Sequence, residues 1–312
     1  MNINSKTQMR LHGLTFYLNS LIKLFDSNRL SNKILLTGLK GIGKSTLAYH
    51  FINYVFSKDE EYSYNKSDNV INKDNRSYKL IINKCHPNFY HIDLMDEKKN
   101  IEISQIRQMF NYANKSSFNN KPRFVFIDNI EYLNLNSINA LLKIIEEPNE
   151  NLFFILIHDS KKNIKDTLKS RCISFKINLS FDNSIEISSK ILNENIINLL
   201  NHDLINHYYT PGDLINLINF AKNNEIDLKK LSLKSFLLLL IDENYYNKDN
   251  FIKYYIFIII QFYFLKLLYK SRSKNNINLL YNNFIKMRHD CSKFNLNYEN
   301  LLMEFKSKVL NE

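Results

Sequence analysis

The sequence predicts an α/β fold: a parallel β-sheet with helices on both faces, then a small helical module and an all-helical C-terminal region. Three observations predict it. Short apolar runs that read as buried strands alternate with helix-period segments through the first half of the chain. Three of only five glycines fall within six residues, between one such run and a helical pattern. Beyond Leu231, apolar helical patterns recur at Leu237–Ile241, Tyr254–Leu268 and Ile277–Met287 without glycine or proline.

The first strand and helix flank the glycines. Lys33-Ile34-Leu35-Leu36-Thr37 is a short apolar run, and Leu47–Phe56 has helical character. Between them lies Gly38-Leu39-Lys40-Gly41-Ile42-Gly43-Lys44-Ser45-Thr46. An average chain of this length would carry about 22 glycines, so the clustering points to a backbone requirement. The spacing Gly-x4-Gly-Lys-Ser, set between strand and helix, lets backbone N–H groups and a helix N-terminus surround a phosphate chain. Gly38, Gly41 and Gly43 keep side chains out of the way. Lys44 is expected to reach the β- and γ-phosphates, Ser45 to hold Mg²⁺, and Thr46 to open the helix.

A second strand, Phe124-Val125-Phe126-Ile127, follows Pro122 and ends in Asp128, an acid placed to assist Mg²⁺ through water. Many ATPases with this loop carry Glu next, to polarise the attacking water. Here the residue is Asn129, which cannot accept a proton. Glu131 follows, but nothing in the sequence places it near a γ-phosphate. ATP with Mg²⁺ is therefore the expected ligand, with hydrolysis weak or absent.

Composition sets the outer limits. The 312 residues carry 42 basic and 31 acidic side chains, a net charge of +11, with 45% hydrophobic and 23% charged residues. These are globular values that exclude a disordered chain; the charge favours polyanions without naming one. Cys85, Cys172 and Cys291 are too few and too far apart for a disulfide framework or a four-cysteine zinc cluster. No apolar segment of a secretory signal follows Met1. The longest apolar run, Tyr254 to Leu265, is shorter than the ~20 residues a bilayer requires, so a buried helix and a cytoplasmic protein are expected.

Further along, Asn139–Pro148 has helical spacing that stops at proline, Leu152–Ile157 reads as a third strand, and Ser170-Arg171-Cys172 follows. Taken with Arg29–Thr46, His86-Pro87-Asn88, Ile101–Arg107 and Phe124–Asp128, this order closely resembles the clamp-loader branch of the AAA+ ATPases over about residues 10–176. The resemblance implies that Arg171 is a finger acting in trans, pointing into the ATP site of a neighbouring subunit, where a fixed guanidinium charge can spread over phosphate oxygens. Cys172 reads as a small buried residue, not a nucleophile.

The chain departs from that family's pattern in places. Some members carry a four-cysteine zinc module after the first helix; here only Cys85 remains, so no zinc is expected, and residues 57–79 read as a mobile polar insertion. Tyr209-Thr210-Pro211-Gly212-Asp213-Leu214-Ile215 resembles the lid segment that bears a nucleotide-sensing arginine, with Ile215 in its place. His158 stands either at the polar sensor position or as a strand-end histidine with a local hydrogen bond. The implied domains are residues 1–176 for nucleotide binding, 177–235 for a lid and 236–312 for a collar. The resemblance implies a subunit of the bacterial DNA polymerase III holoenzyme that joins delta and tau/gamma subunits in a heteropentamer, loads a sliding clamp onto primed DNA, and contacts no membrane. An autonomous ATP-driven DNA motor, or a nucleotide-independent scaffold retaining the loop's shape, remain as other readings.

Overall fold

A computed structural model describes residues 4–311 except 96–97, 116–120, 147–148, 150, 206, 271–273 and 295. The chain divides into two compact units: residues 1–191 with 209–214, and residues 192–208 with 215–312.

The first unit is built on strands β1 (Lys33–Gly38), β2 (Phe89–Ile92), β3 (Arg123–Ile127), β4 (Leu152–Asp159) and β5 (Ile173–Lys176), in the order β2-β3-β4-β1-β5. Every pairing is parallel. Its helices are α1 (Thr15–Asp26), α2 (Lys44–Phe56), α3 (Arg76–Ile82), α4 (Ile103–Ala113), α5 (Leu135–Glu146), α6 (Asp166–Lys169) and most of α7 (Phe181–Leu192). Pro148, expected to stop α5, lies outside the described residues.

Because successive side chains of a strand point to opposite faces, the sheet builds two cores. Ile34, Leu36, Phe124 and Phe126 join Leu18, Leu21, Leu47 and Phe51 of α1 and α2 on one face. Leu35, Val125 and Ile127 join Ile106, Met109, Leu141 and Ile145 of α4 and α5 on the other. Cover on both faces explains why β1, β3 and β4 are largely apolar instead of alternating with polar residues, while the edge strand β5 is mostly exposed. Arg123 is a buried charged residue of β3, 3% exposed: its guanidinium donates to the carbonyls of Tyr112, Ala113 and Lys115 at the C-terminal end of α4.

Residues 57–79, expected from composition to be a mobile insertion, are instead pinned. Tyr64 and Ile71 enter the α1/α2 core, and Ser57, Asn69, Asn75 and Ser77 are buried. The Tyr64 hydroxyl meets His50 Nδ1 at 2.9 Å, Asn69 Nδ2 donates to Thr15 Oγ1 at 3.0 Å, and Asn53 Nδ2 donates to Asn75 Oδ1 at 3.0 Å. The segment is polar because its anchors are amides and hydroxyls whose partners lie elsewhere in the sequence, which composition does not register.

The second unit contains α8 (Ile196–Leu199), α9 (His202–Ile205), most of α10 (Pro211–Asn223), α11 (Leu233–Asp242), α12 (Tyr245–Lys248), α13 (Asn250–Lys270), α14 (Lys274–Phe294) and α15 (Glu299–Phe305). Phe264, Phe284 and Phe305 form its aromatic centre, with ring centroids 5.5–5.9 Å apart. At 21 residues and mean hydropathy 1.7, α13 is longer than its apolar run suggested and, by length and composition, could cross a membrane. Ile252, Tyr255, Ile256, Phe257, Ile259, Ile260, Tyr263 and Phe264 are nonetheless packed inside this unit.

Replacing Tyr64 by Ala removes an anchor of residues 57–79 and is expected to cost roughly 3 kcal/mol. Urea unfolding measures the loss, and limited proteolysis should show new cleavage confined to that stretch.

Candidate nucleotide site and a surface arginine

Parallel register brings the C-terminal ends of the strands together, where ligands of open α/β sheets bind. Gly38 pairs with Asp159 and Ile92 with Ile127, so Asp93 and Asp128 extend adjacent strands at the same level. The glycine-rich turn leaves β1 here and enters α2 through Gly43, whose φ of +91° is open to glycine at little cost. A side chain at Gly41 would collide with the Thr210 hydroxyl, and one at Gly212 would stand 2.8 Å from the Gly41 Cα. The Gly212 N–H donates to the Gly41 carbonyl at 2.9 Å. Four of the chain's five glycines thus serve one turn and the segment resting on it.

Lys44 is folded inward. It is 5% exposed, and its Nζ donates to the carbonyls of Gly38 at 2.8 Å and Leu39 at 2.6 Å. Burial holds its pKa below the ordinary lysine value, while Asp159, Asp128 and Glu131 pull it back up. The Ser45 hydroxyl donates to Asp128 Oδ2 at 2.6 Å, so the two residues expected to share Mg²⁺ are in direct contact. Thr46 lies in the first turn of α2. The Asp128 pKa is pushed up to about 6, chiefly by loss of water around the carboxyl; the Ser45 hydrogen bond opposes this and the charge of Asp93 adds to it.

Sequence reasoning missed the neighbouring acids. Asn129 adopts a left-handed conformation with φ of +56° and donates from Nδ2 to Asp93 Oδ1 at 2.8 Å. Where a glutamate is usual, the chain has an amide that holds a carboxylate from the next strand. Glu131 accepts the Asp159 N–H at 3.2 Å, which brings its carboxylate to the end of β4 and into the field of Lys44. Parallel strand order was the available signal: any acid just past β2 or β4 had to arrive beside Asp128.

His158 is 3% exposed. The Lys162 carbonyl can only accept, so Nε2 donates to it at 2.8 Å, and Nδ1 meets the Thr37 hydroxyl at 3.0 Å. Both ring nitrogens are engaged locally, as in the strand-end alternative. His86 stacks on Phe56 with centroids 4.1 Å apart, and burial lowers its pKa to about 4. Burial pushes the half-buried Cys172 thiol up to about 11, with the charge of Lys33 opposing the shift. Ile215 is buried on α10 and offers no charge.

Arg171 stands apart from the turn. It lies just before the edge strand β5, with its side chain 37% exposed. Its Nη2 and Nε both approach Glu146 Oε1, at 2.8 and 3.0 Å, and Nη1 donates to the Thr167 carbonyl at 2.9 Å.

The raised Asp128 pKa carries a sign. A carboxyl that binds its proton more tightly folded than unfolded adds stability below its ordinary value of 3.8, and that stability is lost as pH rises through about 6. Asp128→Asn should therefore be more stable than the native chain by roughly 3 kcal/mol above about pH 7, and the two should converge near pH 4 in urea titrations. Asn129→Glu faces the new carboxylate towards Asp93 and is expected to cost about 1–3 kcal/mol. Adding Asp93→Asn restores a donor–acceptor pair and should recover most of that loss in the same assay.

The family model described as DNA polymerase III, delta subunit, matches residues 14–180. The DNA polymerase III subunit delta′ of Buchnera aphidicola subsp. Baizongia pistaciae is 32% identical over 151 residues, 47% of this chain and 44% of that protein. Its counterpart in Buchnera aphidicola subsp. Schizaphis graminum is 26% identical over 229 residues, 72% of this chain and 65% of that protein. The chain thus spans less than two thirds of the length of either relative. Among solved structures, a DNA polymerase III gamma subunit-related protein from Thermotoga maritima has a TM-score of 0.52 at 16% identity, covering 93% of this chain and 97% of that one, a likeness of fold. The family match takes in the glycine-rich turn, Asp128 and Arg171 together and extends over more than half of the sequence, so the chain belongs to the DNA polymerase III delta subunit family.

Proposed function

We propose that this chain is a delta′-like stator of a clamp loader: it binds MgATP weakly or without turnover and lends Arg171 to the ATP site of a neighbouring subunit. The observation that carries the reading is the placement of Arg171, exposed just before an edge strand, at the starts of the parallel strands, whereas the turn around Lys44 follows the end of β1. A guanidinium presented at a surface can spread charge over another subunit's phosphate oxygens, a contribution of about 10³–10⁵ in phosphoryl transfer.

The chain's own site fits a nucleotide. Gly38, Gly41 and Gly43 leave the turn's N–H groups clear, and the Ser45 hydroxyl and Asp128 carboxylate supply the hard oxygens that Mg²⁺ prefers. Bound MgATP would supply a polarised γ-phosphate. To meet it, Lys44 gives up the Gly38 and Leu39 carbonyls, and Ser45 exchanges its hydrogen bond for the cation. Each exchange weakens binding relative to a site already open. Asn129, with its amide spent on Asp93, cannot take a proton from water, and Ile215 brings no charge to the phosphates. These departures favour a partner of an ATPase over an ATPase.

In this reading, residues 1–176 are the nucleotide-binding domain, 177–235 the lid and 236–312 the collar through which the subunit joins delta and tau/gamma subunits in a cytoplasmic heteropentamer. That assembly loads the sliding clamp onto primed DNA, and relatives named as delta′ and gamma subunits of DNA polymerase III support it.

The purified chain should hydrolyse ATP negligibly, and a labelled ATP analogue should bind weakly and lose its signal with Lys44→Ala. Vigorous turnover would favour an autonomous motor, and equal weak signals from native and variant chains would favour a scaffold.

A further inference from the structure

We infer that Glu146 is the positioning residue for Arg171, holding its guanidinium preoriented at the surface for a neighbour's phosphates; this rests on the trans-acting reading above. The geometry is specific. Glu146 is the last described residue of α5, and its Oε1 receives both Nε and Nη2 of Arg171, at 3.0 and 2.8 Å. Nη1 is tied to the Thr167 carbonyl one helical turn upstream, at 2.9 Å. A guanidinium has five N–H groups, so three are committed and one on each terminal nitrogen is left, among the described residues, for an incoming anion.

The placement of the acid argues for a purpose outside its own helix. A carboxylate in the last turn faces the negative end of the helix dipole, which disfavours it. Glu146 therefore gains little from α5 and depends on cations: Arg171 at its carboxylate, and Lys33, whose Nζ donates to its backbone carbonyl at 3.3 Å. Long arginine side chains lose rotamer freedom when they engage a partner; a side chain already fixed along its length has lost that freedom beforehand. The pair is also weak enough to yield. With side chains 37% and 52% exposed, it lies in a high-dielectric setting where ion pairs contribute little. Glu146 aligns the arginine without locking it, and a highly charged triphosphate can outbid a single carboxylate.

The test uses the full chain in the reconstituted assembly with clamp and primed DNA, measuring ATP hydrolysis for Glu146→Ala, Arg171→Ala and the double variant, with Glu146→Gln as the conservative control. Glu146→Ala should lower kcat by about fivefold, equivalent to about 1 kcal/mol, at unchanged KM for ATP. Glu146→Gln, which keeps the acceptor oxygen, should retain most of the native rate. In the Arg171→Ala background Glu146→Ala should have no further effect, because a residue acting through another is silent once that other is gone. If Arg171→Ala lowers turnover while Glu146→Ala is silent, or if Glu146→Ala costs the same in both backgrounds, the role of Glu146 is overturned and the trans reading stands. If Arg171→Ala turns over at the native rate, the trans reading fails, and the role of Glu146 with it.

Discussion

Parallel register is the constraint from which the candidate site follows. With β1 paired to β4 and β5, and β3 to β4 and β2, every strand of the sheet delivers its C-terminal residue to the same edge. The Gly38 turn, Asp93, Asp128 and Asp159 therefore converge from four segments spread over 121 positions of the sequence. Shifting one strand by a residue would exchange its two faces and remove its acid from the cluster. The apolar strands hold that register because each carries side chains into both the α1/α2 core and the α4/α5 core.

Convergence has an electrostatic consequence. Asp128, Glu131 and Asp159 act on one buried ammonium, Lys44, and Asp128, stripped of water and with Asp93 adding its charge, holds its proton up to about pH 6. The chain balances this cluster with hydrogen bonds: Ser45 to Asp128, Asn129 to Asp93, and the Asp159 N–H to Glu131. Asn129 is well suited to its place, since asparagine tolerates the left-handed backbone there better than most residues. The same substitution that removes a base supplies a donor the neighbouring strand needs.

What the sequence made legible is what local spacing encodes. The turn from Gly38 to Thr46, the acid after Phe124–Ile127 and the arginine of Ser170-Arg171-Cys172 are each read from fewer than ten consecutive residues. The partnership of Asn129 with Asp93, the reach of Glu131 to the Asp159 N–H and the contact of Arg171 with Glu146 join groups 36, 28 and 25 positions apart, and pairing at that range follows from how strands and helices are arranged, not from local spacing. Residues 57–79 show the opposite error: composition marked them as loose, yet Tyr64 and Ile71 carry enough apolar surface to anchor the stretch, and its amides find buried partners. For α13, hydropathy alone could not separate a core helix from a membrane span, and the packing of Phe264 against Phe284 and Phe305 gives its apolar surface a place within the unit.

In the proposed function, the turn around Lys44 and the guanidinium of Arg171 serve different catalytic centres. A structure of the assembled complex trapped with a non-hydrolysable ATP analogue measures this directly, as the distance from Arg171 to the adjacent subunit's γ-phosphate. A terminal nitrogen of Arg171 is expected within about 3 Å of a γ-phosphate oxygen. An Arg171 still seated on Glu146, with no phosphate of another subunit within reach, would contradict it.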